Sequence, residues 1–163
     1  MYVIDNTVLS NFAVIGKIEL LHEILRCDAF TTKEVEVEFR YKPSFRKVKI
    51  KFGVVDISAK DLEDFERILQ ITGPRGLHSG EISCILSVID GKADVILTDD
   101  LLARKYCKKE GIEAHGTVFV LAIAVKEKIL TIDQAESTLN EMKEKGYSLK
   151  KKITVQMAFY GLD

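Results

Sequence analysis

Acidic residues occur at two points where a short apolar run gives way to a helical pattern. Asp5 follows "YVI" (2–4), and the pair Asp99 and Asp100 follows "VILT" (95–98). One Asp at such a point caps the helix and contributes about 1 kcal/mol, but a second adjacent acid gains little from the same amides and is repelled by its neighbour. A divalent cation would remove that repulsion, and carboxylate oxygens suit Mg²⁺ and Mn²⁺.

A cation held by carboxylates would support hydrolysis of a phosphate ester. Mg²⁺ usually takes one or two protein carboxylates and completes its shell with waters and substrate phosphate. Water bound to the metal is more easily deprotonated and attacks phosphorus, while the cation offsets the charge that develops on the phosphate oxygens. This chemistry needs no histidine base, and His22, His78 and His115 show no spacing with a nucleophile. Glu81, in the first turn of a helical pattern, is a further acid, although the helix dipole alone explains a carboxylate there.

Short apolar runs alternate with helical patterns along the chain, which predicts an α/β sandwich around a central parallel sheet. Strands are predicted at 2–5, 94–98 and 112–114, and helices at 7–15, 17–25, 59–72, 79–91, 101–110, from 117 onward and at 133–146. Ligands of such sheets bind outside the carboxyl ends of the strands. Asp5 and the pair Asp99 and Asp100 occupy positions of that kind.

The totals fit one domain over residues 1–163. Apolar residues make up 47% of the chain, which excludes a disordered protein, and the net charge of −1 excludes a generally basic coat for nucleic acid. Three separated cysteines without a C-x-x-C pair disfavour zinc and suit a reducing cytoplasm. The apolar run 118–125 is far shorter than the roughly 20 residues that span a bilayer, and no basic region precedes the first apolar residues, so neither a membrane span nor a signal peptide is expected.

The segment 39–55 differs from the rest because it contains six basic residues and no acid. Its alternating "KVKIKFGVVDI", on either side of Gly53, predicts a basic β-hairpin inserted at about 46–57. The segment "KEVEVEF" (33–39) also alternates with period 2, which predicts a strand.

The ordered set of motifs "VIDNTVLSNF", "TTKEVEVEFRYK", "GEISCILSVI" and "ADVILTDDLLARKYCKKEGIEAHGTVFVLAIA" resembles the PIN domains, most closely the branch of the VapC-type toxins. The resemblance implies a Rossmann-like α/β/α sandwich and a ribonuclease that holds Mg²⁺ or Mn²⁺ with three or four carboxylates. By position it implies catalytic roles for Asp5, Glu81 and Asp100, with Thr98 as the family's Thr and Thr7 in support.

The resemblance also implies a fourth acid in a helix after the second strand. Glu38 is the first choice for it and Glu34 the second, and the two share a face only if the segment is helical. Asp99 occupies the variable position beside Asp100, where it shares metal binding or only orients the site.

RNA contacts are expected from basic residues. Arg40, Arg46, Lys47, Lys49 and Lys51 lie in the acid-free segment, while Arg104, Lys105, Lys108 and Lys109, with Arg75 and His78, lie near the acids. Such residues position RNA without reading its sequence, and for the helix 101–110 a solvated face is an equal alternative. Tyr41, Phe45 and Phe52 either stack on bases or pack the hairpin.

Two other functions fit parts of the sequence. A phosphatase of the haloacid dehalogenase type would use Asp5 as its nucleophile, but it needs an Asp at the position of Thr7 and leaves Glu81 without a role. The other alternative is an inactive RNA-binding or regulatory module on the same scaffold. For a toxin, the resemblance implies a small antitoxin partner, and it implies a homodimer, for which the apolar "HGTVFVLAIAV" offers an interface unless it is simply core.

Overall fold

Five parallel strands form a central sheet in the computed structural model, which describes residues 1–72, 76–149 and 153–162. The strands are β1 (Tyr2–Ile4), β2 (Ala29–Thr32), β3 (Gly53–Val55), β4 (Val95–Leu97) and β5 (Glu113–His115). They are arranged in the order β3-β2-β1-β4-β5. The chain adds β2 and β3 on one side of β1 and then crosses over to add β4 and β5 on the other side. The gap between the ends of β1 and β4 is therefore the topological switch point, where sheets of this kind bind ligands.

Helices cover both faces of the sheet, which confirms the predicted α/β sandwich. They are α1 (Asn6–Val14), α2 (Ile18–Leu25), α3 (Lys33–Tyr41), α4 (Ala59–Thr72), α5 (Ser79–Ile89), α6 (Leu101–Lys109), α7 (Thr117–Lys126), α8 (Ile132–Glu144) and α9 (Val155–Tyr160), with a short 3-10 turn at Pro43–Phe45. One layer contains α4, α5 and α6, the other contains α1, α2, α7, α8 and α9, and α3 contacts both α1 and α5.

The apolar helix α7 lies in the core. Val120, Leu121, Ala122 and Ala124 are fully buried, and the helix packs on α2, α8, α9 and β5. Core packing therefore accounts for the unusual apolar content of this segment without an interface. In the part of the chain that the structure describes, no helix is both long and apolar enough to cross a membrane.

The predicted strand at 33–39 is wrong, because the segment forms α3. Thr32 caps the helix by accepting a hydrogen bond from the Val35 amide at 3.3 Å. Val35 and Phe39, four residues apart, face the core, whereas Val37 is 64% exposed. An apolar side chain on the solvent side of the helix thus produced the strand-like alternation.

The predicted hairpin at 46–57 is also wrong. The residues 53–55 form a single edge strand that pairs in parallel with β2, and the residues before them have no regular structure. Phe45 and Phe52 are buried, and Val48 and Ile50 pack on the same core. The alternating apolar side chains attach an irregular segment to the core. Because Phe45 and Phe52 are buried there, they cannot stack on RNA bases.

Candidate active site

Asp5 is the most deeply buried acid at the switch point. It follows β1, and its amide donates to the Leu97 carbonyl of β4 at 2.9 Å. Its Oδ2 accepts hydrogen bonds from the Thr7 hydroxyl at 2.6 Å and the Thr98 hydroxyl at 2.8 Å, and it caps α1 through the Thr7 amide at 3.3 Å. Its Oδ1 is buried without a hydrogen-bond partner in the described residues.

Burial raises the pKa of Asp5, and the hydrogen bonds from Thr7 and Thr98 oppose that rise. A buried carboxylate oxygen without a partner is costly, because the oxygen has lost water and gained nothing in exchange. A cation beside Oδ1 would remove that cost.

Glu81 lies in the first turn of α5, and its side chain is 10% exposed. Its Oε2 accepts a hydrogen bond from the His78 amide at 2.6 Å and lies 3.4 Å from His78 Nδ1. Burial raises the pKa of Glu81 to about 7, and the negative charges of Asp5, Glu38 and Asp100 add to the rise. Four carboxylates from four separate parts of the chain therefore share one region, which we call the acidic cluster (Asp5, Glu38, Glu81 and Asp100).

Glu38 reaches the cluster because α3 packs against α5. Its Oε1 accepts hydrogen bonds from the Gly80 amide at 2.9 Å and the Ser79 hydroxyl at 3.4 Å. A Cβ at Gly80 would lie 2.5 Å from Glu38 Oε2 and 2.9 Å from Oε1, so a larger residue here would force the Glu38 carboxylate to shift. Glu34, one turn earlier, is half-buried, and its Oε2 has no hydrogen-bond partner among the residues described. Of the two candidates, Glu38 is the acid whose carboxylate touches α5.

Asp100 begins α6 beside the cluster. Its Oδ1 accepts a hydrogen bond from the Ala103 amide at 2.7 Å, and its own amide donates to the Thr98 hydroxyl at 3.1 Å. Thr98 therefore joins two acids, since its hydroxyl donates to the carboxylate of Asp5 and accepts from the backbone amide of Asp100. Thr7 has a similar role, because its hydroxyl donates to Asp5 and accepts from the Asp99 amide at 2.9 Å.

Asp99 makes its hydrogen bonds at the start of α7 and not within the cluster, which favours the alternative that it orients the site over the one that it shares metal binding. Both of its oxygens accept from the Thr117 amide at 3.1 Å, and Oδ2 also accepts from the Thr117 hydroxyl at 2.5 Å and from Asn11 Nδ2 at 3.0 Å. Tyr147 donates its hydroxyl to Oδ1 at 2.8 Å. A Cβ at Gly116 would overlap the Asp99 carboxylate. Asp99 therefore caps the start of α7 from 18 residues away.

A family model described as a PIN domain matches residues 1–158. This chain belongs to the PIN domain family. No curated protein and no solved structure matches it significantly. PIN domains are generally nucleases that use divalent metals, and the match confirms the family that the sequence motifs predicted.

The acidic cluster of this PIN domain suits a hard cation. Asp5 Oδ1 is buried without a hydrogen-bond partner among the described residues, while each of the other three carboxylates accepts hydrogen bonds at one oxygen: Glu38 Oε1, Glu81 Oε2 and Asp100 Oδ1. Within residues 1–72, 76–149 and 153–162, no three His, Cys, Asp or Glu side chains lie close enough to form a complete ligand group. Mg²⁺ commonly binds one or two carboxylates directly and fills its shell with water and phosphate.

The basic residues of the PIN domain lie in two different places. The segment 46–51 enters the sheet at the amino end of β3, whereas the acids lie at the carboxyl ends of the parallel strands β1 and β4. Arg40 binds Glu36 and two backbone carbonyls, and Lys51 binds Glu19, so both have internal partners. Arg104 and Lys105 are exposed on α6, which starts at Asp100. Arg75 lies outside the described residues.

Sequence reasoning missed the residues that orient Asp99 and Glu38. Asn11, Thr117 and Tyr147 lie far from Asp99 in the chain, and no local pattern connects them. Gly80 and Gly116 carried a weak signal, because each is a small residue that directly precedes a polar residue at the start of a helix.

Proposed function

We propose that this PIN domain is a metal-dependent ribonuclease that hydrolyses RNA phosphodiester bonds, either as a VapC-like toxin or as an RNA-processing nuclease. One observation supports the proposal more than any other: Asp5 Oδ1 is buried without a hydrogen-bond partner among the described residues, beside Glu81, whose pKa is raised by burial and by the charges of Asp5, Glu38 and Asp100. The hydroxyls of Thr7 and Thr98 hold the Asp5 carboxylate in place by donating hydrogen bonds to its Oδ2.

Asp5 and Asp100 are the residues proposed to hold Mg²⁺ or Mn²⁺, with Glu38 and Glu81 completing the site. The bound cation would activate water and offset charge on the phosphate. In the absence of metal, burial and the neighbouring carboxylates raise the pKa of Glu81 to about 7. A bound cation would offset this crowding of negative charge.

The test is cleavage of single-stranded RNA in Mg²⁺ or Mn²⁺, with EDTA as the control. Asp5→Asn and Asp100→Asn should lower cleavage by about 100-fold or more while the circular dichroism spectrum stays unchanged, because Asn caps helices as well as Asp. Retained cleavage in both variants would refute the proposal. If calorimetric titration detects no binding of Mg²⁺ or Mn²⁺, the inactive module is favoured. If the protein hydrolyses a small phosphate monoester and leaves RNA intact, the phosphatase is favoured.

The proposal extends to a cytoplasmic homodimer and, for a toxin, to a small antitoxin protein that blocks the acidic cluster. Light scattering after gel filtration tests the dimer. A short reading frame directly upstream of the gene would favour the toxin over the processing enzyme.

A further inference from the structure

The outer side of α6 forms a shallow depression of about 470 Å³ against β5. Six residues line it, and we call them the α6 surface: Leu101, Arg104, Lys105, Lys108, Ile112 and Ala114. Half of them are cationic and none is acidic.

The three cations of the α6 surface are exposed and form no ion pair with any described residue. Other basic residues do have acidic partners in the described part of the chain, as Lys17, Lys33 and Lys92 have. Glu113 on β5 does not neutralise the α6 surface. Adjacent strand residues point to opposite faces of a sheet, and Ala114 faces the depression while Glu113 contacts His115 on the other face.

The α6 surface starts at the acidic cluster. Asp100 caps α6, and Leu101, 48% exposed, follows it directly. Arg104 and Lys108 are four residues apart, so they lie on one face of the helix about 6 Å apart along its axis. The cations therefore form a row that leads away from the acids along one helix.

We propose that the α6 surface binds the sugar-phosphate backbone of a single-stranded RNA that extends from the acidic cluster. This inference rests on the proposed nuclease function, because it identifies the path of that substrate. The cations contact successive phosphates of one strand, and Leu101, Ile112 and Ala114 offer apolar area to sugars or bases. A second set of exposed basic residues, Arg46, Lys47 and Lys49, precedes β3 at the opposite end of the sheet and is not on this path.

Two triple variants with the same loss of charge test the path. One changes Arg104, Lys105 and Lys108 to Gln, and the other changes Arg46, Lys47 and Lys49 to Gln. Binding of a fluorescein-labelled oligouridine of about 12 nucleotides is followed by anisotropy in EDTA, across about 50 to 300 mM salt. The wild-type chain and an RNA duplex of equal length serve as references.

The α6 variant should bind at least about tenfold more weakly at low salt, and the slope of log K against log salt should become shallower by about 2, since each single-strand phosphate contact contributes about 0.7. The sequence pattern also predicted RNA contacts from Arg46, Lys47 and Lys49, but the path along α6 predicts instead that the 46–49 variant matches the wild type. Equal losses in both variants, no loss in the α6 variant, or equally tight binding of the duplex would overturn the inference. Cleavage is scored separately, so a wild type that binds RNA through α6 but never cuts it would refute only the nuclease proposal.

Discussion

Asp99 and Asp100 are adjacent in the chain but serve two different regions of the molecule. Asp100 joins the acidic cluster and accepts a hydrogen bond at one oxygen, whereas both oxygens of Asp99 are occupied by Thr117, Asn11 and Tyr147. The two carboxylates do not need a shared cation to coexist. The helix dipole and hydrogen bonds at the start of α7 stabilise one charge, and the other belongs to a carboxylate that is proposed to bind a metal.

The backbone explains the separation. Asp100 has an extended conformation, with φ −66° and ψ 124°, and successive side chains of an extended segment point in opposite directions. Thr98 and Asp100 therefore face Asp5 and the cluster, while Asp99 between them faces α7. The comparison of these neighbours yields predictions in which similar substitutions have different effects.

The largest difference should be in catalysis. Asp100→Asn should lower the rate of RNA cleavage by about 100-fold or more because it removes a proposed metal ligand, whereas Asp99→Asn should lower it by less than about tenfold. Steady-state cleavage in Mg²⁺ measures both. Equal losses would mean that the two acids act as one unit after all.

Stability should show the reverse order. Asp99→Asn places an amide near the Thr117 amide and hydroxyl, and loss of these charge-assisted hydrogen bonds should lower the free energy of unfolding by about 2 to 3 kcal/mol. Asp100→Asn keeps a good cap for α6 and should change the free energy of unfolding by about 0.5 kcal/mol or less. Urea unfolding of metal-free protein checks the pair, and an equally destabilised Asp100→Asn variant would contradict the comparison.

Two glycines allow the same contrast through sterics. Gly80→Ala should displace the Glu38 carboxylate and lower cleavage about tenfold, because a misplaced catalytic group loses its favourable geometry. Gly116→Ala should displace Asp99 and act mainly on the urea midpoint. Neither glycine has a positive φ, so backbone strain does not complicate the comparison. Restored cleavage in Gly80→Ala combined with Glu38→Asp, which shortens the side chain, would support the steric cause.

The effect of pH should distinguish the cluster from Asp99. Burial and neighbouring carboxylates raise the pKa of Glu81 from 4.5 to about 7, so the folded protein holds a proton that the unfolded chain releases between these values. Stability of the metal-free protein should therefore fall as pH rises from about 4.5 through about 7, by about 1 to 2 kcal/mol. Urea unfolding at several pH values measures this. Glu81→Gln should flatten the curve and Asp99→Asn should leave its slope unchanged; a flat curve for the wild type would contradict the prediction.

Much of the fold follows from the sequence because most helices have a strong apolar face and the strands β1 and β4 are short apolar runs. Strand β2 had no predicted counterpart, since half of it is Thr31 and Thr32. Both hydroxyls are buried and satisfied, by the Ile4 carbonyl at 2.9 Å and the Ser83 hydroxyl at 2.6 Å. Such long-range partners do not leave a periodic signal.

The candidate site shows the same limit. The positions of Asp5 and Asp100 after strands predicted that they would meet, because parallel strands bring their carboxyl ends to one edge. The role of Glu38 could be predicted only from the family resemblance, because the exposed Val37 gave the segment 33–39 the alternating pattern of a strand. The orientation of Asp99 depends on distant residues. Asn11 donates hydrogen bonds to Asp99, 88 residues away, and to Thr117, 106 residues away, and only the folded chain brings the three together.

Tyr147→Phe gives the smallest and most selective test of the Asp99 region. Burial first, and then the Asp99 charge, raises the pKa of Tyr147, so its hydroxyl remains a protonated donor to Asp99 Oδ1 at ordinary pH. Removal of this one donor should lower the free energy of unfolding by about 1 kcal/mol, because Thr117 and Asn11 still hold the carboxylate. In the Asp99→Asn background the same substitution should cost measurably less, since partners in one network are not additive. Urea unfolding of the double-mutant cycle measures this coupling, and a Tyr147→Phe variant that loses RNA cleavage at unchanged stability would instead place Tyr147 in the active site.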